Sequence, residues 1–171
     1  MDKDNLIRDE QNRVVINMTV KDDGNFLSVY SQSDMPVISS EVADFLETSV
    51  FAVPPTEELT LKIKSDCIDE SEKIVYEKAI KEYYRGRNIH NERELKRNNL
   101  ISFVLAVVGV LVLAFAVFID SLGANIWAEV VDIAAWVFLW EAVDMQFFKS
   151  RELKINRLRN QAFMNAKIEY V

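Results

Sequence analysis

The sequence predicts an α+β domain of order ββαβα, followed by a two-helix transmembrane hairpin and a short C-terminal amphipathic helix. Two observations lead to this prediction. Short apolar segments with strand or helix periodicity fill the first half of the chain, and an apolar block without Lys or Arg follows them. The predicted division is 1–85 for a cytoplasmic domain, 86–99 for a juxtamembrane helix, 100–148 for the hairpin and 149–171 for a basic tail.

A β-hairpin is the first predicted element of the domain. Apolar and polar residues alternate over Arg13–Lys21, which is the period of a strand with one buried face. Asp22–Asn25 has the composition of a tight turn, and strand-forming residues resume over Phe26–Tyr30. We therefore expect two antiparallel strands here.

A short helix and a third strand follow. Ser39 or Ser40 can cap a helix over 41–48, because a serine hydroxyl accepts from a free N–H of the first helical turn. Alternation over 58–65 predicts the strand. The buried face of the short helix is predicted to hold three apolar residues, Val42, Phe45 and Leu46.

A longer helix begins after this strand. Asp69 and Glu72 have the spacing of a capping box, in which each residue satisfies a backbone N–H of the other. The sequence 85–87, Arg-Gly-Arg, is expected to interrupt the helix before it resumes over Asn88–Asn99.

The predicted hairpin consists of spans 100–119 and 126–148. The first span has no charged residue over twenty positions, and at 1.5 Å per residue this is about 30 Å, one hydrocarbon thickness. The linker 120–125 is short and polar, so the second span returns antiparallel to the first. Basic residues flank the hairpin on both sides and are absent from the linker. This asymmetry predicts a cell inner (cytoplasmic) membrane protein with both termini cytoplasmic.

Small residues in the first span predict a helix-packing seam. At 100° per residue, four of them fall within an arc of about 80°, and such residues let a second helix approach closely. The seam consists of Ser102, Ala106, Gly109 and Ala116.

The second span carries acidic residues on one half of its circumference, together with Trp136 and Trp140. The apolar block offers them no cation. They are therefore protonated and hydrogen-bonded between helices, or face water or bound cations in an oligomer, or pair with basic residues of another membrane protein. Whether they hold a metal is open, since one helix brings at most two carboxylates to one point. This intramembrane acidic face consists of Glu129, Asp132, Glu141 and Asp144.

Functional motifs are limited in this sequence. A Gly-rich phosphate loop, a Cys/His cluster and a Ser-centred elbow are all missing, and the net charge of −7 disfavours nucleic acid as a partner. The arrangement is similar to that of small bacterial membrane proteins. We expect a non-enzymatic sensor, adaptor or assembly factor without a cofactor, which couples a cytoplasmic domain to a membrane partner or to a self-oligomer. A cytoplasmic protein partner fits the same hypothesis. The alternative is an oligomeric cation or proton pathway lined by the acidic face.

Overall fold

The computed structural model describes residues 6–32 and 34–171 of the chain, and they form two compact units. The first unit comprises Met1–His90 and Asn156–Val171, and the second comprises Asn91–Ile155. The elements, in chain order, are β1 (Val14–Val20), α1 (Ser40–Ser49), β2 (Leu59–Ser65), α2 (Glu70–Ser121), α3 (Asn125–Asp144), a π-helical turn (Met145–Lys149), α4 (Ser150–Met164) and β3 (Lys167–Tyr170).

In the described part of the first unit, three strands form one sheet in the order β1-β2-β3, and both pairings are parallel. Val14 is in register with Leu59, and Leu61 with Ile168. The core lies on the face that carries Ile16, Met18 and Ile63, which are buried. The predicted mixed α+β class is confirmed, but the observed order is βα, βα, and then two further helices before the last strand.

The predicted β-hairpin is wrong. The turn itself forms, since the Gly24 amide donates to the Asp22 carboxylate at 3.0 Å. The chain does not return to the sheet after this turn. Phe26 instead stacks on Tyr76 of α2 with ring centroids 4.3 Å apart, and it is 2% exposed. Leu27 contributes one isolated antiparallel bridge and no strand. Burial of the Phe26 ring against α2 therefore determines the conformation of this segment. Strand propensity does not, because it is weak and context-dependent.

The short helix forms as α1 with Ser39 as its cap, as predicted. The Ser39 hydroxyl accepts from the Val42 amide at 3.4 Å. Val42 and Leu46 are buried, but Phe45 is 41% exposed and Ala43 takes its place on the buried face. The predicted inward position of Phe45 is therefore wrong.

The capping box at the start of α2 is also confirmed. The Glu72 amide donates to the Asp69 carboxylate at 2.8 Å, and the Asp69 amide donates to the Glu72 carboxylate at 2.9 Å. The predicted interruption at 85–87 is wrong, because α2 runs without a break to Ser121. A single interior glycine costs only about 1 kcal/mol, which packing of the flanking turns offsets.

The C-terminal tail was predicted as one amphipathic helix over 149–171. A helix does form, but it ends at Met164, and Ile168 lies in β3. The tail is thus part of the α+β fold. Phe163 stacks on Tyr84 of α2 with centroids 4.2 Å apart. The strand forms because the edge of β2 has unpaired backbone groups, which β3 satisfies.

Phe163 is expected to be essential for the core of the first unit. It is 1% exposed, and its replacement in Phe163→Ala leaves a cavity beside Tyr84. We predict a loss of about 3–5 kcal/mol in unfolding free energy, measured by thermal and denaturant unfolding of the detergent-solubilised chain. Tyr30→Ala is the control, since Tyr30 is 90% exposed. Equal midpoints for the two variants would contradict the assignment.

Asp9 predicts a pH dependence of stability. The Thr60 hydroxyl donates to its carboxylate at 2.7 Å and the Arg13 amide at 2.9 Å, and these bonds lower the pKa of Asp9. The stabilisation is therefore present above the ordinary aspartate pKa of about 3.9, and is lost as the pH falls through the folded-state pKa. Asp9→Asn should lower the melting temperature at pH 7, with the gap to wild type closing in acid. Glu10→Gln, an exposed neighbour, should show no gap at either pH.

Candidate functional site

The second unit contains an unusual amount of exposed apolar surface. Among the described helices, α2 alone is both long and apolar enough to span a membrane. Its apolar side chains are open to the surroundings, with Leu111 64%, Phe115 55% and Val117 66% exposed. A helix in the core of a soluble protein would bury these groups, so this surface fits lipid or another protein.

The helix α3 has the length of a span but a mixed composition. Its twenty residues rise about 30 Å, and four carboxylates interrupt an otherwise apolar sequence. Three Trp residues, at positions 127, 136 and 140, lie on it and are 61–72% exposed. α3 therefore combines a membrane-compatible length with a polar side that needs separate explanation.

Within this unit, α2 and α3 contact each other through small residues. The Ser102 hydroxyl donates to the Ala142 carbonyl at 2.8 Å. A Cβ atom on Gly109 would lie 2.8 Å from Leu139 Cγ, closer than real Cβ atoms approach a neighbour, and a tight 3.2 Å from the Leu139 amide nitrogen. A side chain at position 109 would therefore force Leu139 to move.

The structure brings the predicted seam residues into this contact to different degrees. Ser102, Gly109 and Ala116 are buried, and Ala106 is half-buried. The matching stripe on α3 was missed in the sequence: it consists of buried alanines seven residues apart, Ala128, Ala135 and Ala142. The seven-residue spacing is the signal that would have found it.

A buried polar cluster lies beside the π-helical turn, and it too was missed. The Asn98 side-chain amide donates to the Met145 carbonyl at 2.8 Å and to the Ser150 hydroxyl at 3.0 Å. The Ser150 hydroxyl donates in turn to the Asn99 side-chain oxygen at 3.1 Å. The Met145 carbonyl also accepts the Ser150 backbone N–H within the π turn, so Asn98 adds a second donor to it and ties α2 to this turn.

Three of the four acids of the acidic face lie away from this contact. Taking Ala135 as zero and 100° per residue, Asp132 lies at about 60°, Glu129 and Glu141 at about 120° to either side, and Asp144 at about 180°. Asp132 is half-buried and the other three are exposed. Within residues 6–32 and 34–171, none of the four takes part in an ion pair or hydrogen bond. The hairpin itself therefore does not neutralise them.

No group of three or more His, Cys, Asp or Glu side chains in the described residues is placed to hold a metal ion. The four carboxylates are spread along and around one helix, which explains this result. They can accept hydrogen bonds or pair with cations brought by another molecule.

The close contact at Gly109 generates a prediction. Gly109→Ala places a methyl group against Leu139, and we expect a loss of about 1–3 kcal/mol in stability. In a Leu139→Ala background the same change should cost less, because the clash with the leucine side chain is gone and only the 3.2 Å approach to the amide nitrogen of residue 139 remains. The control is Gly86→Ala, where a Cβ meets nothing within 4 Å. That change should raise stability by about 0.5–1 kcal/mol. Thermal unfolding in detergent measures all three, and a neutral Gly109→Ala would contradict the close packing.

Comparison with protein-family models finds no match for this chain, and comparisons with curated proteins and solved structures find no significant similarity. The functional interpretation therefore rests on the chain's own residues. Its main features are the exposed apolar surface of α2, the small-residue contact between α2 and α3, and the unpaired acidic face.

Proposed function

We propose that this chain is a non-enzymatic adaptor or assembly factor of the cell inner membrane, with both termini cytoplasmic. In this proposal α2 and α3 span the membrane as a hairpin. The acidic face binds a second membrane protein that brings basic side chains into the bilayer. The single observation that carries the proposal is the absence of any ion-pair or hydrogen-bond partner for these four carboxylates among the described residues.

Chain topology supports a double crossing. β2 and β3 lie side by side in one parallel sheet, and the chain between them contains α2, α3 and α4. A chain that leaves this sheet through a membrane-spanning α2 must return to the same side before it forms β3. An even number of crossings is required, and α3 is the helix of suitable length. The sheet topology therefore favours α3 as a span despite its acids.

Electrostatics favours a partner of different sequence. A charged side chain at the bilayer centre costs at least about 2.5 kcal/mol, even on the mildest scale. Residues 100–148 contain no Lys or Arg. A second copy would therefore bring four more acids and no cation to the interface. A partner with Lys or Arg in its own span removes the cost by pairing.

Aromatic side chains strengthen the same surface. Trp136 and Trp140 lie beside the acids and are 61% and 72% exposed. Exposed tryptophans next to charged groups are typical of binding hot spots, because a large ring excludes water around the polar pair. The acidic face thus has both the apolar area and the charges of a protein interface.

The α+β domain provides a second place for a partner. Val29 and Tyr30 are 84% and 90% exposed on the first unit. The helix α2 contributes residues to both units without interruption, so the domain is joined to the hairpin by continuous helical backbone. A protein bound in the membrane is then tethered to one bound in the cytoplasm, which is what an adaptor does.

Site-specific photo-crosslinking tests the proposal. A photoreactive amino acid at Trp140 should link the chain to another membrane polypeptide that has Lys or Arg in the linked span. The same amino acid at Leu111, on exposed α2, is the control. Changing all four acids to their amides keeps side-chain shape and should reduce the Trp140 adduct by at least roughly tenfold, about 1.4 kcal/mol of binding.

Three results would overturn this proposal. An undiminished adduct in the amide variant would show that the charges do not select the partner. An adduct of the chain with itself would indicate a self-oligomer. Cation or proton flux through liposomes, lost in the amide variant, would support the alternative, since outward carboxylates from several copies can surround a pathway.

A further inference from the structure

We propose that the second unit binds one anionic phospholipid in a groove between α2 and α3, at the end where the π-helical turn lies. This inference rests on the proposed membrane placement of the hairpin. It concerns a different surface from the acidic face and a different class of ligand.

The groove has the shape of an acyl-chain site. Its volume is about 740 Å³, within the usual range of ligand pockets, about 300–1,000 Å³. Small residues, Ser102, Ala106 and Ala142, provide space in the floor. Larger apolar side chains line the rest: Phe103, Leu139, Val143 and Phe147. In a bilayer such a groove is filled by hydrocarbon and not by water.

One end of the groove is polar. Asn99 and Gln146 line it there, and both are exposed. The Asn99 side-chain oxygen accepts from Ser150, which leaves its amide hydrogens directed elsewhere. Two side-chain amides are thus available at the end of an apolar groove. They are suitable donors for the ester or phosphate oxygens of a lipid, which lie at that depth when the acyl chain is buried.

The charges around this end select the occupant. Residues 91–99 and 143–155 contain six Lys or Arg and four Asp or Glu, a net charge of +2. Lys96 lies one turn from Asn99 on α2, and Lys149 and Arg151 follow Gln146 along the chain. All three are exposed. Basic pockets between spans on the cytoplasmic side are typical sites for anionic headgroups.

The same charges argue against a protein helix in the groove. The partner proposed for the acidic face carries cations, and cations are repelled by Lys96, Lys149 and Arg151. A second copy of the chain would bring its own Lys96, Lys149 and Arg151 to the same membrane depth, where they would repel those of the first copy. An anionic lipid complements both the apolar groove and its basic end.

Native mass spectrometry of the full-length chain, purified in detergent, tests this site. We expect one molecule of phosphatidylglycerol to remain bound and phosphatidylcholine to dissociate. Ala106→Phe fills the floor and should abolish retention. Lys149→Gln with Arg151→Gln should reduce phosphatidylglycerol affinity about thirtyfold, given about 1 kcal/mol for each basic residue near the surface. Lys64→Gln, an exposed cation of the first unit, is the matched control and should have no effect.

Each other outcome overturns the lipid site. Equal retention of phosphatidylglycerol and phosphatidylcholine would show that the basic side chains do not select the lipid. Unchanged retention in Ala106→Phe would place the lipid outside the groove. Binding of inorganic phosphate as strong as that of the lipid would show a simple anion site. A lipid-free dimer would show that a second copy fills the groove. If Ala106→Phe fails to give a monodisperse, helical protein, the double Gln variant decides the question.

Two controls separate this inference from the proposed function. The chain should remain in liposomes after alkaline extraction, and extraction into the soluble fraction would overturn the membrane placement and both proposals. The amide variant of the acidic face should retain phosphatidylglycerol normally. Loss of the photo-crosslinking adduct with normal lipid retention, or the reverse, assigns each result to its own surface.

Discussion

Parallel pairing of β2 with β3 is the constraint on which the rest of the structure depends. Parallel neighbours cannot be joined by a tight turn, so the chain must leave the sheet and come back to start again at the same end. Here the connection holds α2, α3, the π-helical turn and α4. The apolar hairpin is therefore an insertion between two strands of one sheet, and both of its ends are tied to the same folded unit.

The hairpin uses two surfaces of α3 for different purposes. The side with Ala128, Ala135 and Ala142 is buried and packs closely, because small side chains allow two helix backbones to approach each other. The rest of the helix surface carries exposed tryptophans and the four carboxylates, which have no ion-pair or hydrogen-bond partner among the described residues. One side of α3 therefore packs against α2, while three of the four carboxylates stay exposed.

The π-helical turn is the point where α2 is hydrogen-bonded to the segment that joins α3 to α4. The Asn98 side-chain amide and the Ser150 backbone N–H both donate to the Met145 carbonyl, and the groove lined by Asn99 and Gln146 lies in the same part of the second unit. π turns are often found at functional sites because the extra residue shifts the helical faces on either side. The proposed lipid site makes use of that shift, with apolar walls on one side of it and basic side chains on the other.

Local pattern determined much of this protein. Three features depend only on residues close together in the sequence: the cap at Ser39, the capping box at Asp69 and the apolar length of α2. They could be predicted because helix capping and helix hydropathy act over a few neighbouring positions. Tertiary structure decided the rest. Phe26 is buried against Tyr76 and does not form a strand, and the last residues pair with β2 across about a hundred positions of sequence. Such pairings depend on which edge is free and which ring needs burial, and neither is visible in a short window of sequence.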